Sequence, residues 1–165
     1  MNQELFDLYT KDRVPLNKTA ARGSTLSRDE FHLVVMGILL NQRNELLITK
    51  RSKHKPGAGK WECTAGSVLA GETGKDAILR EILEEIGIAI EPGNEEPIGC
   101  FYEDDAIFDI WKFSITCRIE DLVLQETEVD EARFIPLGGI HDFIQSYPCA
   151  SSLLEVPRLY DEGLV

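Results

Sequence analysis

The chain has 165 residues, of which 43% are hydrophobic and 28% charged, a composition typical of one globular domain with a sizeable core. No apolar run approaches the roughly 20 residues that span a bilayer, and the formal net charge of −12 opposes binding to nucleic acids and to acidic membranes. The polar N-terminus shows no signal segment and the four cysteines form no CxxC pair, so we expect a cytoplasmic protein with reduced thiols.

The N-terminal third of the chain predicts strands joined by turns. Residues 5–16 favour a small hairpin or hooked arm, and the polar residues 17–30 are typical of a loop. A strong strand is predicted at residues 31–40, a turn at 41–44 and a returning strand at 45–51.

A loop rich in Pro, Gly and Lys is predicted at residues 53–60 and a short extended piece at 61–67. The clearest helix of the chain is predicted at residues 73–86. Thr73 is the expected N-cap, with Asp76 three residues later as its capping-box partner. Gly87 stands where a glycine commonly ends a helix.

The remainder of the chain predicts three more strands and two short helices. The strands are expected at 98–102, 107–119 and 132–136, and the helices at 138–147 and 152–161. Strands mixed with a few helices indicate an α/β sandwich. Because no linker separates a second domain, we expect residues 1–165 to form a single domain, with residues 1–30 as its N-terminal arm.

Three glutamates gather on one side of the predicted helix. At about 100° per residue, Glu81, Glu84 and Glu85 lie at positions i, i+3 and i+4, nearly opposite an apolar stripe. Like charges at this spacing destabilise an isolated helix, and a divalent cation would remove that cost. Carboxylate oxygens are ligands that Mg²⁺ and Mn²⁺ prefer. The alternative is a solvated acidic face on which Arg80 pairs with Glu84.

The helix is part of a longer pattern. Gly66 is followed after five residues by Glu72 and, after seven more, by Arg-Glu-Ile-Leu-Glu-Glu-Ile-Gly-Ile at 80–88. This pattern resembles the Nudix box, G-x5-E-x7-R-E-U-x-E-E-x-G-U with U aliphatic, and it matches at every specified position. Ordinary residue usage produces such a match in about one chain of this length in 10⁷ or more. Residues 66–88 therefore mark a resemblance to the Nudix hydrolases.

The resemblance implies a fold, a reaction and a set of site residues. The expected fold is an α/β/α sandwich around a mixed sheet, and the expected reaction is Mg²⁺-dependent cleavage of a diphosphate linkage, with Mn²⁺ as a possible substitute. The metal ligands that it implies are the backbone carbonyl of Gly66 and the carboxylates of Glu81, Glu84 and Glu85. Glu84 and Glu85 would also take part in catalysis. Glu72 and Arg80 would form the salt bridge that fixes the loop against the helix.

A general base must still deprotonate the attacking water. Relatives often take it from a glutamate on a loop before a late strand that ends in an aromatic residue. Counted back from Phe134, Glu128 is the first candidate and Glu126 the second, with a glutamate of the box as a further possibility. The alternative is that this segment is only an acidic surface loop.

A local basic patch interrupts the acidic sequence between residues 50 and 60. Its members are Lys50, Arg51, Lys53, His54, Lys55 and Lys60. Such a patch can attract phosphates, and Arg51 is the best candidate for a forked contact with them. Trp61 is a candidate for stacking on the substrate. The alternatives are a solvated lysine-rich loop and a tryptophan that belongs to the core or its rim.

Other stretches resemble the branch of the family that contains isopentenyl-diphosphate isomerases and their hydrolase-like relatives. These stretches are residues 4–9, 31–35 and 46–52, together with the tryptophan before the box. The isomerase needs a Cys-x-His-Pro arrangement just before the first box glutamate, and this chain has Ala65 and Ser67 there. Cys63 comes two residues too early. His32 falls where an isomerase has a metal ligand, but without those partners a core or supporting histidine is favoured.

The hydrolase is therefore favoured over two alternatives, the isomerase and a non-catalytic sensor of a nucleotide or sugar diphosphate. A sensor would be expected to have lost box glutamates, and all are present. The expected partner is a small-molecule diphosphate substrate, with no nucleic acid and no membrane, and the expected state is a monomer or homodimer.

Overall fold

Residues 4–165, which the computed structural model describes, contain nine strands and four α-helices. The strands are β1 (Leu5–Tyr9), β2 (Pro15–Ala21), β3 (Phe31–Leu40), β4 (Glu45–Arg51), β5 (Trp61–Glu62), β6 (Ala65–Ser67), β7 (Glu95–Glu103), β8 (Ala106–Ser114) and β9 (Val129–Pro136). The helices are α1 (Gly74–Ile86), α2 (Ile140–Ser146), α3 (Ser151–Leu154) and α4 (Val156–Asp161). The first three residues, on which the expected absence of a signal segment partly rests, lie outside the described residues.

Strand β3 is the centre of the sheet. It pairs antiparallel with β1 and β6 and parallel with β8, and one bridge, Leu40 with Leu46, joins it to β4. Strand β4 in turn pairs with β5 and β9, while β7 pairs with β8. Strand β3 is almost continuously apolar because both of its faces are covered, as in other buried central strands.

The two faces of β3 serve two layers of helix. Val35 and Leu39 point to one face and pack with Ile82 of α1. Met36 and Ile38 point to the other face and pack in the cluster that includes α2, α3 and α4. Because side chains alternate along a strand, one sequence supplies both halves of the core. The predicted α/β/α sandwich around a mixed sheet is confirmed.

Helix α1 begins and ends as its sequence predicts. The Thr73 hydroxyl accepts a hydrogen bond from the Asp76 amide at 3.1 Å. Gly87 takes the left-handed conformation, with φ of 73°, and its amide donates to the Leu83 carbonyl. At 13 residues α1 is far shorter than a bilayer span, and in the described part of the chain no helix is long and apolar enough to cross a membrane.

Residues 17–30 are not wholly the loop that their polarity predicts. Residues 17–21 complete β2, which pairs with β1 from Pro15 opposite Tyr9 to Ala21 opposite Leu5. Most side chains of β2 are exposed or half-exposed because it pairs only with β1 among the described strands. A strand in that position buries no apolar face, so it lacks the alternation that would have predicted it.

Two other predicted elements end early or divide. Strand β8 ends at Ser114 rather than at residue 119, because its parallel partner β3 ends at Leu40, the residue opposite Ser114. The helix predicted at 152–161 is instead two short helices, α3 and α4. Pro157 stands in the first turn of α4, where its missing N–H breaks the hydrogen-bond series that a continuous helix needs.

We expect Gly87→Ala to lower the free energy of unfolding by about 1–3 kcal/mol. The added Cβ would lie 2.8 Å from the Cβ of Val123, and the alanine would have to adopt the positive φ of this position, which is unfavourable for residues with a side chain. Urea denaturation of Gly93→Ala is the matched control, since Gly93 also has a positive φ but no atom lies within 4 Å of the Cβ that alanine would add there. Equal losses in the two variants would show that contact with Val123 is unimportant.

Candidate active site

A cavity of about 670 Å³ opens beside β6, α1 and the loop between β4 and β5. Acidic and basic side chains share its lining: Glu4, Glu62, Glu81, Glu84, Glu85, Glu103 and Glu128 are acidic, and Arg22, Arg51, Lys55, Lys60 and Arg80 are basic. Carboxylates suit a divalent cation, and cationic side chains suit phosphate oxygens. The cavity therefore combines the two kinds of group that a metal-assisted phosphate reaction needs.

Gly66 allows the helix glutamates to approach the sheet. It lies on β6, opposite Val35 of β3, and the Glu81 carboxyl group lies so close that a Cβ at Gly66 would overlap it. The Glu81 side chain is only 13% exposed, and burial raises its pKa. Two of the metal ligands implied by the sequence are thus brought into direct contact.

The Arg80 guanidinium ties the loop before α1 to the helix. Its Nε and one Nη donate to the two Glu72 carboxylate oxygens at 2.8 and 2.9 Å, and the same Nη donates to the Ser67 carbonyl at 3.1 Å. Burial raises the pKa of Glu72, but the hydrogen bonds from Arg80 and from the Leu69 amide outweigh it and leave that pKa below its ordinary value. The salt bridge implied by the sequence is present.

The other arm of Arg80 reaches the glutamates of the helix. It donates to Glu81 at 2.7 Å and to Glu84 at 3.3 Å. The Glu84 side chain is half-exposed, at 52%, so it is the most accessible of the three helix carboxylates. Arg80 therefore offsets part of the repulsion between the glutamates that the helical spacing predicts.

Glu85 is the most deeply buried of these acids, with 2% of its surface exposed. Burial raises its pKa to about 8, although the nearby Lys55 opposes the shift. Within residues 4–165 its Oε2 has no hydrogen-bond partner. An unpaired buried carboxylate oxygen is costly, and a cation beside it would remove the cost.

Lys55 connects Glu85 to the predicted general base. Its Nζ forms an ion pair with Glu128 and lies 3.6 Å from Oε1 of Glu85. Glu128, the first candidate for the base, lines the cavity. The side chain of Glu126, the second candidate, is exposed, and its backbone carbonyl accepts a hydrogen bond from the Ser52 hydroxyl. The structure brings Glu128, not Glu126, to the box glutamates.

Glu62 is a site residue that the sequence reasoning missed. It lines the cavity although only 3% exposed, and burial raises its pKa. Its Oε2 accepts from Arg51, whose Nε donates to the Pro56 carbonyl at 2.9 Å. The candidate phosphate-binding Arg51 therefore lines the cavity but is already held by two partners. A charged residue between the apolar Trp61 and Cys63 was the available signal.

Trp61 lies in the core and not in the cavity wall that the structure describes, so the prediction that it stacks on the substrate is corrected. It is 3% exposed, and the Arg133 guanidinium lies 4.0 Å from its ring centre. The ring also meets Phe143 of α2 edge-on. Neighbouring residues of a strand face opposite sides, so Glu62 points into the cavity while Trp61 points towards α2 on the other side of the sheet.

The donor set fits a divalent cation in its chemistry. Glu81, Glu84 and Glu85 could supply oxygen ligands, and Glu62 and Glu85 each keep one buried carboxylate oxygen without a hydrogen-bond partner among the described residues. In the observed side-chain arrangement Arg80 and Lys55 contact these carboxylates instead. No group of three or more His, Cys, Asp or Glu side chains in residues 4–165 is arranged so that it could hold a metal ion. Binding therefore requires rotation of these side chains.

Comparison with known proteins decides the family. The NUDIX domain model matches residues 30–149. The chain belongs to the Nudix family. An uncharacterized Nudix hydrolase of Listeria monocytogenes is 37% identical over 134 residues, which cover 80% of this chain and 79% of the relative. The predicted enzyme class, a Nudix hydrolase that cleaves diphosphates, is confirmed.

Two further comparisons concern one relative in sequence and one solved structure. A prenyl-diphosphate phosphatase of Methanosarcina mazei is 29% identical over 134 residues, which cover 74% of this chain and 77% of the relative. The crystal structure of DR0079 from Deinococcus radiodurans has a TM-score of 0.80 at 19% identity and covers 95% of this chain and 99% of that one. This second likeness shows a shared fold over 95% of this chain. The closer resemblance to the isomerase branch stays a prediction.

We expect Glu85→Gln to stabilise the metal-free protein at high pH. Since the folded-state pKa of about 8 lies above the ordinary value of 4.5, the folded protein binds this proton more tightly than the unfolded chain. The resulting stability is present below about pH 4.5 and is lost as the pH rises through about 8. At about pH 9 in EDTA, urea denaturation should give the variant a free energy of unfolding about 1–3 kcal/mol higher than that of the wild type. This difference should shrink towards pH 5.

The half-exposed Glu84 provides the control for this measurement. Glu84→Gln removes the same charge from the same helix face, and we expect it to follow the wild-type pH dependence far more closely. A constant difference between Glu85→Gln and the wild type at all pH values would show that the buried carboxyl does not titrate in this range.

Proposed function

We propose that this protein hydrolyses the diphosphate bridge of a small organic diphosphate, such as a nucleoside diphosphate derivative, with Mg²⁺ held by Glu81, Glu84, Glu85 and the Gly66 carbonyl. Mn²⁺ would be an alternative metal. The observation that carries this proposal is the buried Glu85 carboxylate, which lines the cavity with one oxygen unpaired among the described residues. When bound, the cation would supply charge neutralisation at the phosphates and acidify the attacking water.

The cationic side chains of the cavity would bind the phosphate oxygens. Arg51, Lys55 and Lys60 all line it, on or beside the loop between β4 and β5. Their charges act within an otherwise acidic protein, so the attraction to phosphate is local. Arg51 has a fixed orientation because Glu62 and the Pro56 carbonyl hold its guanidinium. A fixed guanidinium loses little freedom when it meets a phosphate.

Glu128 is the general base that we propose for the attacking water. Its carboxylate lines the cavity on the segment before β9, and Lys55 links it to Glu85. A general base must lie within hydrogen-bond reach of the water, and a water bound between the helix glutamates and the phosphate would have Glu128 on the same cavity wall. The proton of the water would pass to the Glu128 carboxylate as the new oxygen–phosphorus bond forms and the diphosphate bridge breaks.

The isomerase alternative lacks its residues at the cavity. Ala65 and Ser67 line the wall where that reaction needs a cysteine and a histidine. Cys63 is fully buried in the core, and burial raises the pKa of its thiol. His32 stacks on Phe6 at 4.5 Å and is not among the described residues that line the cavity. The sensor alternative differs from the hydrolase only in lacking turnover, so activity decides between them.

We expect Glu85→Gln to lower kcat by at least about 10²-fold at saturating Mg²⁺, because it removes a negatively charged ligand of the proposed metal ion. Steady-state kinetics on the best available substrate would measure the change. Glu91→Gln, at an exposed position outside the cavity lining, is the control and should retain the wild-type rate. An unchanged kcat in Glu85→Gln would remove this residue from the metal site.

A panel of nucleoside diphosphate derivatives and prenyl diphosphates, each with Mg²⁺ and with Mn²⁺, tests the reaction class. We expect release of phosphate or nucleotide from at least one member, and no release in EDTA. Prenyl diphosphates belong in the panel because a relative is named a prenyl-diphosphate phosphatase. Conversion of isopentenyl diphosphate to dimethylallyl diphosphate would favour the isomerase. Tight binding with no turnover of any compound would favour the sensor.

A further inference from the structure

Lys55 is unusually enclosed for a residue of a loop. Its side chain is only 17% exposed, and its ammonium lies between Glu128, with which it forms an ion pair, and Glu85, at 3.6 Å. Lysine is seldom buried unless it is paired. The other lysines of this loop, Lys53 and Lys60, are exposed. Lys55 is thus the positive charge of the loop that enters the carboxylate site.

The loop is anchored so that Lys55 stays within reach of these carboxylates. The Lys55 amide donates to the Ser52 carbonyl at 3.0 Å. Ser52 is itself fully buried, and its amide donates to the Glu128 carbonyl at 2.9 Å. The backbone is held at its base, while the four-carbon side chain of lysine can still rotate. The ammonium can therefore leave Glu85 without rearrangement of the loop.

One ammonium does not satisfy the buried acids around it. The distance from Lys55 to Glu85 is longer than a hydrogen bond, and Oε2 of Glu85 has no partner in the described chain. Glu62, close to Lys55, keeps a second such oxygen. A doubly charged ion at Glu85 would neutralise more of this charge and would repel the ammonium from the same place. The two cations cannot both sit against Oε1 of Glu85.

We propose that Lys55 is an exchangeable internal cation: its ammonium and a divalent metal ion exclude one another at Glu85. Metal binding releases Lys55 from Glu85. The freed ammonium remains in the cavity, where it can pair with the phosphate oxygens of a substrate. Lys55 thereby weakens metal binding in the absence of substrate and couples the metal to the substrate when both are present. This inference rests on the proposed function, because it requires a divalent ion at Glu85.

The test is Mn²⁺ binding without substrate, measured by electron paramagnetic resonance of the free ion. Lys55→Met should bind Mn²⁺ about tenfold more tightly than the wild type, because the competing charge is gone. Lys60→Met is the matched control, because it removes the same charge from the same cavity. Since Lys60 is exposed, we expect it to tighten Mn²⁺ binding by about twofold at most. Lys55→Arg keeps the charge and should bind Mn²⁺ as the wild type does.

The outcomes separate exchange from a merely structural role. A lysine that only holds Glu85 and Glu128 in place would, once removed, leave metal binding weaker or unchanged, and that result would overturn the proposal. Equal tightening in Lys55→Met and Lys60→Met would also overturn it, because general charge would then explain the effect. Wild-type protein that binds no Mn²⁺ would overturn the proposed metal site and the exchange together.

A measurement on the wild-type protein covers the case in which Lys55→Met does not fold. The side-chain ammonium signals of ¹⁵N-labelled lysines would be followed during titration with Mg²⁺, and the Lys55 signal would be assigned by its loss in Lys55→Arg. We expect that signal to shift, and its hydrogens to exchange faster with water, as Mg²⁺ saturates the site. A Lys55 signal that Mg²⁺ leaves unchanged, with Mg²⁺ bound, would overturn the exchange and leave the metal site standing.

Discussion

The close approach of α1 to β6 at Gly66 is the contact on which the rest of the site depends. Only a residue without a Cβ leaves room for the Glu81 carboxyl group, and the Arg80 guanidinium holds the approach by bridging Glu72, the Ser67 carbonyl and two helix glutamates. The apolar side of α1 presses against β3 at the same time. Helix, loop and strand are thereby fixed around one cluster of charges, which gives the carboxylates a defined position.

That position has an energetic cost. Glu62 and Glu85 are almost completely buried, and burial raises the pKa of both. Arg51 and Lys55 offset only part of the charge. Proteins tolerate such unfavourable groups where function needs them and compensate elsewhere, here through an apolar core on each face of the sheet. The same buried carboxylates that destabilise the cavity in isolation would favour a divalent cation beside them.

Much of the fold could be predicted from local patterns, because the strongest elements carry their own signals. Strands β3 and β4 begin and end where their apolar content predicts, and α1 has the expected cap at each end. The elements that differed depend on partners distant in sequence. Strand β8 ends where its partner β3 ends, and β2 forms because its backbone pairs with that of β1. No pattern within those segments reports the position of the neighbouring strand.

The sequence by itself determined the Nudix family, through the spacing of Gly66, Glu72 and residues 80–88. It also determined that the helix glutamates share one face, because the helical period places them there in any fold. Tertiary structure alone decided which distant residues join them. It placed Glu128 rather than Glu126 in the cavity lining, buried Trp61 in the core, and brought Glu62 and Lys55 close to Glu85. The physical reason is that burial and charge pairing between separate segments follow from packing, which spacing along the chain does not encode.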